Sequence, residues 1–134
     1  MKEQPIPSGF HTITPYFAVP GAPGLITFLK EAFGAEEIER HTMPDGRLMN
    51  AELRIGDSMV MLGEAPQGHK PMSAMLYMYV PDADAVYRRA MQAGAKSVRA
   101  MADESYGDRV GAVEDPCGNQ WWIATRMETP ATKK

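Results

Sequence analysis

The chain has 134 residues, a length that favours one domain able to bury a hydrophobic core without cross-links. A net charge of −3 argues against non-specific nucleic-acid binding, and a single cysteine excludes an internal disulfide framework. No apolar run approaches the roughly 20 residues that cross a bilayer, and residues 1–8 lack the apolar segment of a signal peptide, so we expect a cytoplasmic protein without nucleic-acid or membrane partners.

The first half of the chain predicts one strand, one helix and three further strands. Residues 12–19 are rich in β-branched and aromatic side chains, which favours a strand, and Pro15 suits its beginning or a sheet edge. Apolar residues then recur at helical spacing up to Gly34, a residue type that commonly ends helices. The helical stripe is Leu25, Phe28, Leu29, Ala32 and Phe33. Turns separate the strands predicted at 35–43, 48–55 and 58–62.

The second half predicts the same order of elements. Residues 75–80 form an apolar strand, Asp82 is a suitable helix N-cap, and Gly94 ends the helix. The buried stripe of this helix is Ala83, Val86, Tyr87, Ala90 and Met91. A strand at 95–101 follows, and a final hairpin pairs 110–113 with 121–125 across an Asp-Pro-Cys-Gly-Asn turn.

The two halves are copies of one β-α-β-β-β unit, because equivalent turn residues lie roughly 61 positions apart, as Val19-Pro20 and Val80-Pro81 do. Neither unit can bury both faces of a sheet alone, so the two are expected to pair. We predict an α+β fold with a curved, mostly antiparallel eight-stranded sheet and a concave cleft. The single domain, 1–134, comprises module one at 12–63, a linker at 64–72 and module two at 73–126.

This duplicated unit, ending in Asp-Pro-x-Gly-Asn and an apolar strand, resembles the vicinal oxygen chelate superfamily. The superfamily includes glyoxalase I, extradiol dioxygenases, fosfomycin resistance enzymes and bleomycin resistance proteins. Pro15-Tyr16-Phe17 and the stretch Met-Asn-Ala-Glu-Leu-Arg-Ile-Gly-Asp at 49–57 are similar to the glyoxalase-like branch that contains phosphonate-operon-type proteins. The resemblance covers residues 12–126. It implies the fold more strongly than any one chemistry, because the superfamily contains several.

The resemblance also implies four positions for metal ligands, on the first and last strand of each module. These positions are commonly histidine or glutamate, and here they map to Thr14, Val60, Met75 and Trp122. None of the four carries a carboxylate or an imidazole, which divalent ions of this kind require. We therefore expect no metal cofactor, and a divalent metal held by other residues is the alternative.

Polar residues of the first module provide other candidate contacts. Asn50 and Glu52 are two positions apart on a predicted strand, so they share one face. If that face lines the cleft, both can bind a ligand and Glu52 can act as a general base; the alternative is a solvent-facing strand. Glu64 reaches either the cleft mouth or the surface.

In the second module, Arg109 suits an anionic ligand, while its equivalence to Arg47 favours pairing with a turn carboxylate, Asp108 or Asp45. Tyr106 can flank the same pocket. Trp121 and Trp122 point to opposite faces of one strand, so one belongs to the core and the other to the cleft or a partner, unless both simply pack. The motif position assigns the cleft to Trp122.

The remaining candidates give weaker signals. His11, His41 and His69 match no local ligand motif, which is typical of surface or loop histidines. Cys117 has no histidine near it in the sequence, so a nucleophilic role is not expected.

The leading functional hypothesis is a glyoxalase-like, bleomycin-resistance-like protein that binds a small organic molecule in its cleft without a metal. The alternative is a lyase, isomerase or dioxygenase-type enzyme that uses a divalent metal or Glu52 as base. Family members commonly pair, and a partner can cover exposed sheet edges, so we expect a homodimer.

Overall fold

A computed structural model of the chain describes residues 5–65 and 70–127. It contains two helices, α1 (Ala22–Phe33) and α2 (Ala83–Gln92), and eight strands. The strands are β1 (Tyr16–Val19), β2 (Glu36–Thr42), β3 (Leu48–Ile55), β4 (Ser58–Glu64), β5 (Met75–Tyr79), β6 (Lys96–Asp103), β7 (Asp108–Glu114) and β8 (Gln120–Arg126). The predicted α+β fold with two β-α-β-β-β modules is confirmed.

The eight strands form two four-stranded sheets. Sheet 1 has the order β1-β4-β3-β2 and sheet 2 the order β5-β8-β7-β6. In each sheet the first strand runs parallel to the last strand of its module, and the other neighbours are antiparallel. Within the described residues no ladder joins the two sheets, so the strands of one chain do not form the single continuous sheet expected from the sequence.

The first strand is shorter than predicted. The sequence favoured 12–19, whereas β1 begins at Tyr16. Pro15 has no N–H to donate, although its carbonyl accepts a hydrogen bond from the Met61 N–H at 2.9 Å. The ladder is therefore regular only beyond the proline. At the other end of the module β4 extends to Glu64, and residues 66–69 of the predicted linker lie outside the described residues.

Both helices form where the apolar spacing predicts them. Helix α1 buries the predicted stripe against sheet 1 except for Phe33, which is half-buried, and it ends at Gly34, whose φ of 67° is in the left-handed region that favours glycine. Helix α2 begins after Asp82, whose carboxylate accepts a hydrogen bond from the Ala85 N–H at 3.1 Å, as expected of an N-cap. Neither described helix is long and apolar enough to cross a lipid bilayer.

The two modules share one hydrophobic core on the side of the sheets that carries the helices. The rings of Phe17 and Phe33 lie 5.6 and 4.8 Å from the ring of Trp121, which links sheet 1, α1 and sheet 2. The Arg89 guanidinium also donates a hydrogen bond to the Glu31 carbonyl and so joins α2 to α1. We call this side of each sheet the helix face and the opposite side the open face.

Candidate ligand-binding site

The open face of sheet 1 carries the polar pair predicted on β3. Ala51 and Leu53 are buried in the core, so Asn50 and Glu52, which alternate with them, lie on the open face. Glu52 pairs with Met61 of β4 across the ladder. Within the described part of the chain, Asn50 Oδ1 is buried and has no hydrogen-bond partner, so it is an acceptor available for a ligand or partner group.

One predicted cleft residue of this module lies on the other face. Val60 is 3% exposed and belongs to the shared core. The ladders show the equivalence directly, because Tyr77 pairs with Trp122 and Tyr16 pairs with Met61. Met61 therefore occupies the position equivalent to Trp122. The offset from Met61 to Trp122 is 61 residues, whereas the assignment of Val60 rests on the offset of 62 between the turns Gly56-Asp57 and Gly118-Asn119.

The positions that the resemblance assigns to a metal do not fit one. Thr14 precedes β1 and is half-buried, while Met75 is exposed on the open face of sheet 2. Met61, which takes the place of Val60 among these four positions, provides neither an oxygen nor a nitrogen ligand. Among the described residues no three His, Cys, Asp or Glu side chains are grouped so as to hold a metal ion.

Arg109 lies on the helix face of sheet 2. Its guanidinium donates to the Asp84 carboxylate at 2.8 and 3.1 Å and to Asp103 at 3.2 Å. The hydrogen bond from Arg109 lowers the pKa of Asp84. The equivalent Arg47 pairs with Asp45 at 3.1 Å, as the turn alternative expects. Arg109 thus ties β7 to the first turn of α2, and its donors face carboxylates of the chain itself.

The most elaborate polar arrangement on an open face is centred on Asp108. The predicted pairing of Asp108 with Arg109 is wrong, because the two residues are adjacent on β7 and their side chains point to opposite faces of sheet 2. The Asp108 carboxylate is 1% exposed and accepts hydrogen bonds from Tyr77 Oη at 2.7 Å, Tyr79 Oη at 2.8 Å and Arg126 Nε at 2.6 Å. The hydroxyls of Tyr77 and Tyr106 are 3.3 Å apart. We call Asp108, these three tyrosines and Arg126 the Asp108 cluster.

The protonation states of the cluster follow from these contacts. Burial by itself raises the pKa of Asp108, but the hydrogen bonds from Tyr77, Tyr79 and Arg126 together outweigh it, and the pKa is lowered. Burial is also the main reason why the pKa of Tyr77 is raised, with the hydrogen bonds to Tyr106 and Asp108 adding to it. At neutral pH the cluster therefore contains an ionised Asp108 and a protonated Tyr77.

Aromatic rings surround the cluster on the same face. Trp122 lies between Tyr77 and Ala112 in the ladders, and the Arg99 guanidinium is 5.9 Å from its ring centroid. Tyr77 and Tyr79 remain 42% and 57% exposed although their hydroxyls are held. Beneath this layer small side chains form a fully buried floor outside the shared core: Val110, Ala112 and Ala124. The open face of sheet 2 is thus a rigid aromatic surface with fixed polar groups.

Trp121 is the structural member of the tryptophan pair. It is 2% exposed on the helix face, and its indole N–H donates to Asp115 Oδ2 at 2.9 Å. Asp115 also accepts from the backbone N–H groups of Cys117 and Asn119, so this carboxylate organises the predicted turn and fixes the ring at once. Trp122 is half-buried on the open face.

The weaker candidates have other surroundings. Glu64 accepts hydrogen bonds from the N–H groups of Gly21 and Ala22, and so caps the start of α1. Cys117 is half-buried, and burial raises the pKa of its thiol, which disfavours the reactive thiolate. His41 is exposed beside Glu39, and His11 borders the cavity described below. His69 lies outside the described residues.

A cavity of about 700 Å³ opens between the modules on the helix side. Half-buried apolar side chains that also pack against the core line it, among them Phe33, Ile55, Leu76, Met78 and Val86. It borders the outer edge of β5. The Val80 N–H and the Ala74 carbonyl bond to β8, so the backbone groups of the alternate residues, Met75, Tyr77 and Tyr79, point toward that edge. In the described part of the chain no strand pairs there.

Comparison with known proteins gives related chains. A family model described as Glyoxalase/Bleomycin resistance protein/Dioxygenase superfamily matches residues 10–123. The uncharacterized protein Rv0887c of Mycobacterium tuberculosis is 39% identical over 120 residues, which cover 81% of this chain and 71% of that one.

Two solved structures have a similar fold. TioX from Micromonospora sp. ML1 aligns with a TM-score of 0.75 and 22% identity, covering 87% of this chain and 98% of TioX. The PhnB protein from Bacillus cereus aligns with a TM-score of 0.70 and 13% identity, covering 86% and 99%. At these identities the two structures show a common fold alone.

Proposed function

Because the chain belongs to the Glyoxalase/Bleomycin resistance protein/Dioxygenase superfamily, we propose that it binds a small planar organic molecule on the open face of sheet 2, without the metal ion that many superfamily members use. The observation that carries this proposal is the aromatic surface around Trp122, Tyr77 and Tyr79. Exposed rings fixed by hydrogen bonds lose little conformational entropy on binding, and planar ligands stack on them.

The donor set supports a site without a metal. Metal-dependent chemistry needs several carboxylate or imidazole ligands around one ion. With Met61 assigned as the motif position in place of Val60, the four positions are a threonine, two methionines and a tryptophan. In their place sheet 2 offers stacking area and the hydrogen-bonding groups of the Asp108 cluster. This chemistry suits reversible capture of a ligand, as in a resistance protein that sequesters its target compound.

We also propose that the binding cleft is completed by a second copy of the chain. The open face of sheet 2 is flanked by the unpaired edge of β5, and an exposed strand edge is a surface that another chain can cover. In a twofold dimer, β1 of one subunit can lie along β5 of the other and bring Asn50 and Glu52 of sheet 1 to the aromatic face. The homodimer and the ligand site then form together.

The proposal is tested by calorimetric titration of the protein with 2-naphthol, a neutral planar probe. Trp122→Ala should abolish measurable binding, because it removes the central ring of the aromatic surface. The control Trp121→Phe should leave affinity within about twofold, since that ring faces the core. Binding that survives Trp122→Ala but not Trp121→Phe would contradict the assignment of faces.

The same preparation distinguishes the enzymatic alternative. An enzyme that uses a divalent ion should retain stoichiometric Zn²⁺, Ni²⁺ or Fe²⁺ after treatment with a chelator, and elemental analysis would show it. A metal-free enzyme with Glu52 as base should turn over a superfamily substrate such as a 2-oxoaldehyde thiol adduct and lose that activity in Glu52→Gln. Either result would replace the binding function that we propose.

A further inference from the structure

In the Asp108 cluster the geometry fixes which group donates and which accepts in each hydrogen bond, out to the last hydroxyl at the open face. Tyr77 and Tyr79 each have one hydroxyl proton, and each lies within 2.8 Å of Asp108 Oδ2, a buried carboxylate that can only accept. Both protons are therefore committed to Asp108. The Tyr79 oxygen in turn accepts from Arg126 Nη2 at 3.3 Å.

The commitment of the Tyr77 proton decides the next contact. The hydroxyls of Tyr77 and Tyr106 are 3.3 Å apart, and by distance alone either could be the donor. Since the Tyr77 hydroxyl already donates its hydrogen bond to Asp108, Tyr106 is the donor in this pair. The reverse direction would remove one of the three hydrogen bonds that hold a buried carboxylate, which is unfavourable.

The Tyr106 oxygen is then the outermost atom of this series of hydrogen bonds. Its proton is used in the bond to Tyr77, so toward a ligand it can only accept a hydrogen bond. Tyr106 is 44% exposed, beside the aromatic surface. From this geometry, and resting on the proposed binding function, we infer that Tyr106 determines specificity: it selects planar aromatic ligands that carry an O–H or N–H donor at their edge, and it disfavours ligands that present a carboxylate or an ether there.

The raised pKa of Tyr77 supports this direction, because it keeps the proton on Tyr77 throughout the neutral range. The buried Asp108 is paired with the Arg126 cation at 2.6 Å, so the charges of the cluster offset each other. Selection at Tyr106 therefore depends on hydrogen-bond polarity rather than on net charge.

The experiment compares two neutral probes with the same ring system, 2-naphthol with an O–H donor and 2-methoxynaphthalene without one. Calorimetric titration of the wild-type protein at neutral pH should give about tenfold tighter binding of 2-naphthol, the usual scale for one hydrogen bond. Tyr106→Phe should reduce the ratio of the two Kd values to about one by weakening 2-naphthol alone.

Tyr87→Phe is the matched control, because the Tyr87 hydroxyl bonds to Ser97 at 2.6 Å, away from the open face; this variant should keep the wild-type ratio. Equal binding of both probes by the wild type, or an unchanged ratio in Tyr106→Phe, overturns the role of Tyr106 and leaves the proposed binding function standing. Failure of both probes to bind the wild type overturns the binding function and this inference together.

Discussion

Asp108 shows how one buried carboxylate can fix several aromatic side chains. Tyr77 and Tyr79 come from the edge strand β5, Arg126 from β8 and Asp108 from β7, so three neighbouring strands are tied on one face. Hydrogen bonds to a charged acceptor are stronger than those between neutral groups. The rings of Tyr77 and Tyr79 therefore have defined positions before any ligand binds.

This arrangement makes stability depend on pH. The pKa of Asp108 is lowered in the folded protein, so its ionised form contributes stability that is fully present above the unfolded value of about 3.9. That contribution is lost as the pH falls through the lower folded value. Urea unfolding of the wild type and of Asp108→Asn should show the largest difference near neutral pH and a shrinking difference below about pH 4.

Asp57→Asn provides a carboxylate control from an exposed turn. A difference between the wild type and Asp108→Asn that stays constant, or grows, on acidification would show that the carboxylate charge does not hold the cluster together.

Where strand periodicity decides which way a side chain points, the sequence predicts which residues share a face of the sheet. Alternation alone separates Trp121 from Trp122 and places Asn50 and Glu52 on one face. It does not find the Asp108 cluster, because that requires the parallel register of β5 on β8, a contact between segments 45 residues apart that no local pattern specifies. The weak signal available was the pair Tyr77 and Tyr79, two positions apart on a predicted strand.

At the level of elements, the N-terminus of each helix is capped by a side chain from the last strand of its own module. Glu64 of β4 accepts from the N–H groups of Gly21 and Ala22 at 3.1 and 3.0 Å. In the second module Thr125 of β8 accepts from the Ala83 N–H at 2.9 Å. The duplication has thus kept the position of the cap while changing its chemistry, a carboxylate in one module and a hydroxyl in the other.

Glu64→Ala should lower the free energy of unfolding by about 1–2 kcal/mol, because it leaves two helix N-terminal donors without their acceptor and removes a negative charge from the positive end of the helix dipole. Chemical denaturation measures the change. Glu31→Ala, which removes an exposed carboxylate from the same helix, should change stability by less than about 0.5 kcal/mol. Equal effects of the two substitutions would rule out capping by Glu64.

For the molecule as a whole, the two-module fold could be predicted from the sequence, whereas the relation between the modules could not. Turn residues repeated roughly 61 positions apart identify both units. They do not say whether the two sheets join edge to edge, because the strands that would meet, β1 and β5, are equally compatible with pairing inside one chain or between two chains. The structure packs α1 against α2 and leaves the β5 edge uncovered within the described residues.

The proposed dimer can be tested at that edge with a single backbone group. The Met75 N–H points away from β8, so Met75→Pro removes no hydrogen bond of sheet 2 but takes a donor from the outer edge and places a ring there. Met75→Ala removes the same side chain and keeps the donor. Light scattering at micromolar concentration should give the wild type and Met75→Ala twice the chain mass of 14.8 kDa, and Met75→Pro the single chain mass. Circular dichroism would establish that the proline variant is folded. A wild type at the single chain mass, or a folded Met75→Pro that remains dimeric, would exclude the β5 edge as the contact and require the cleft to be built within one chain.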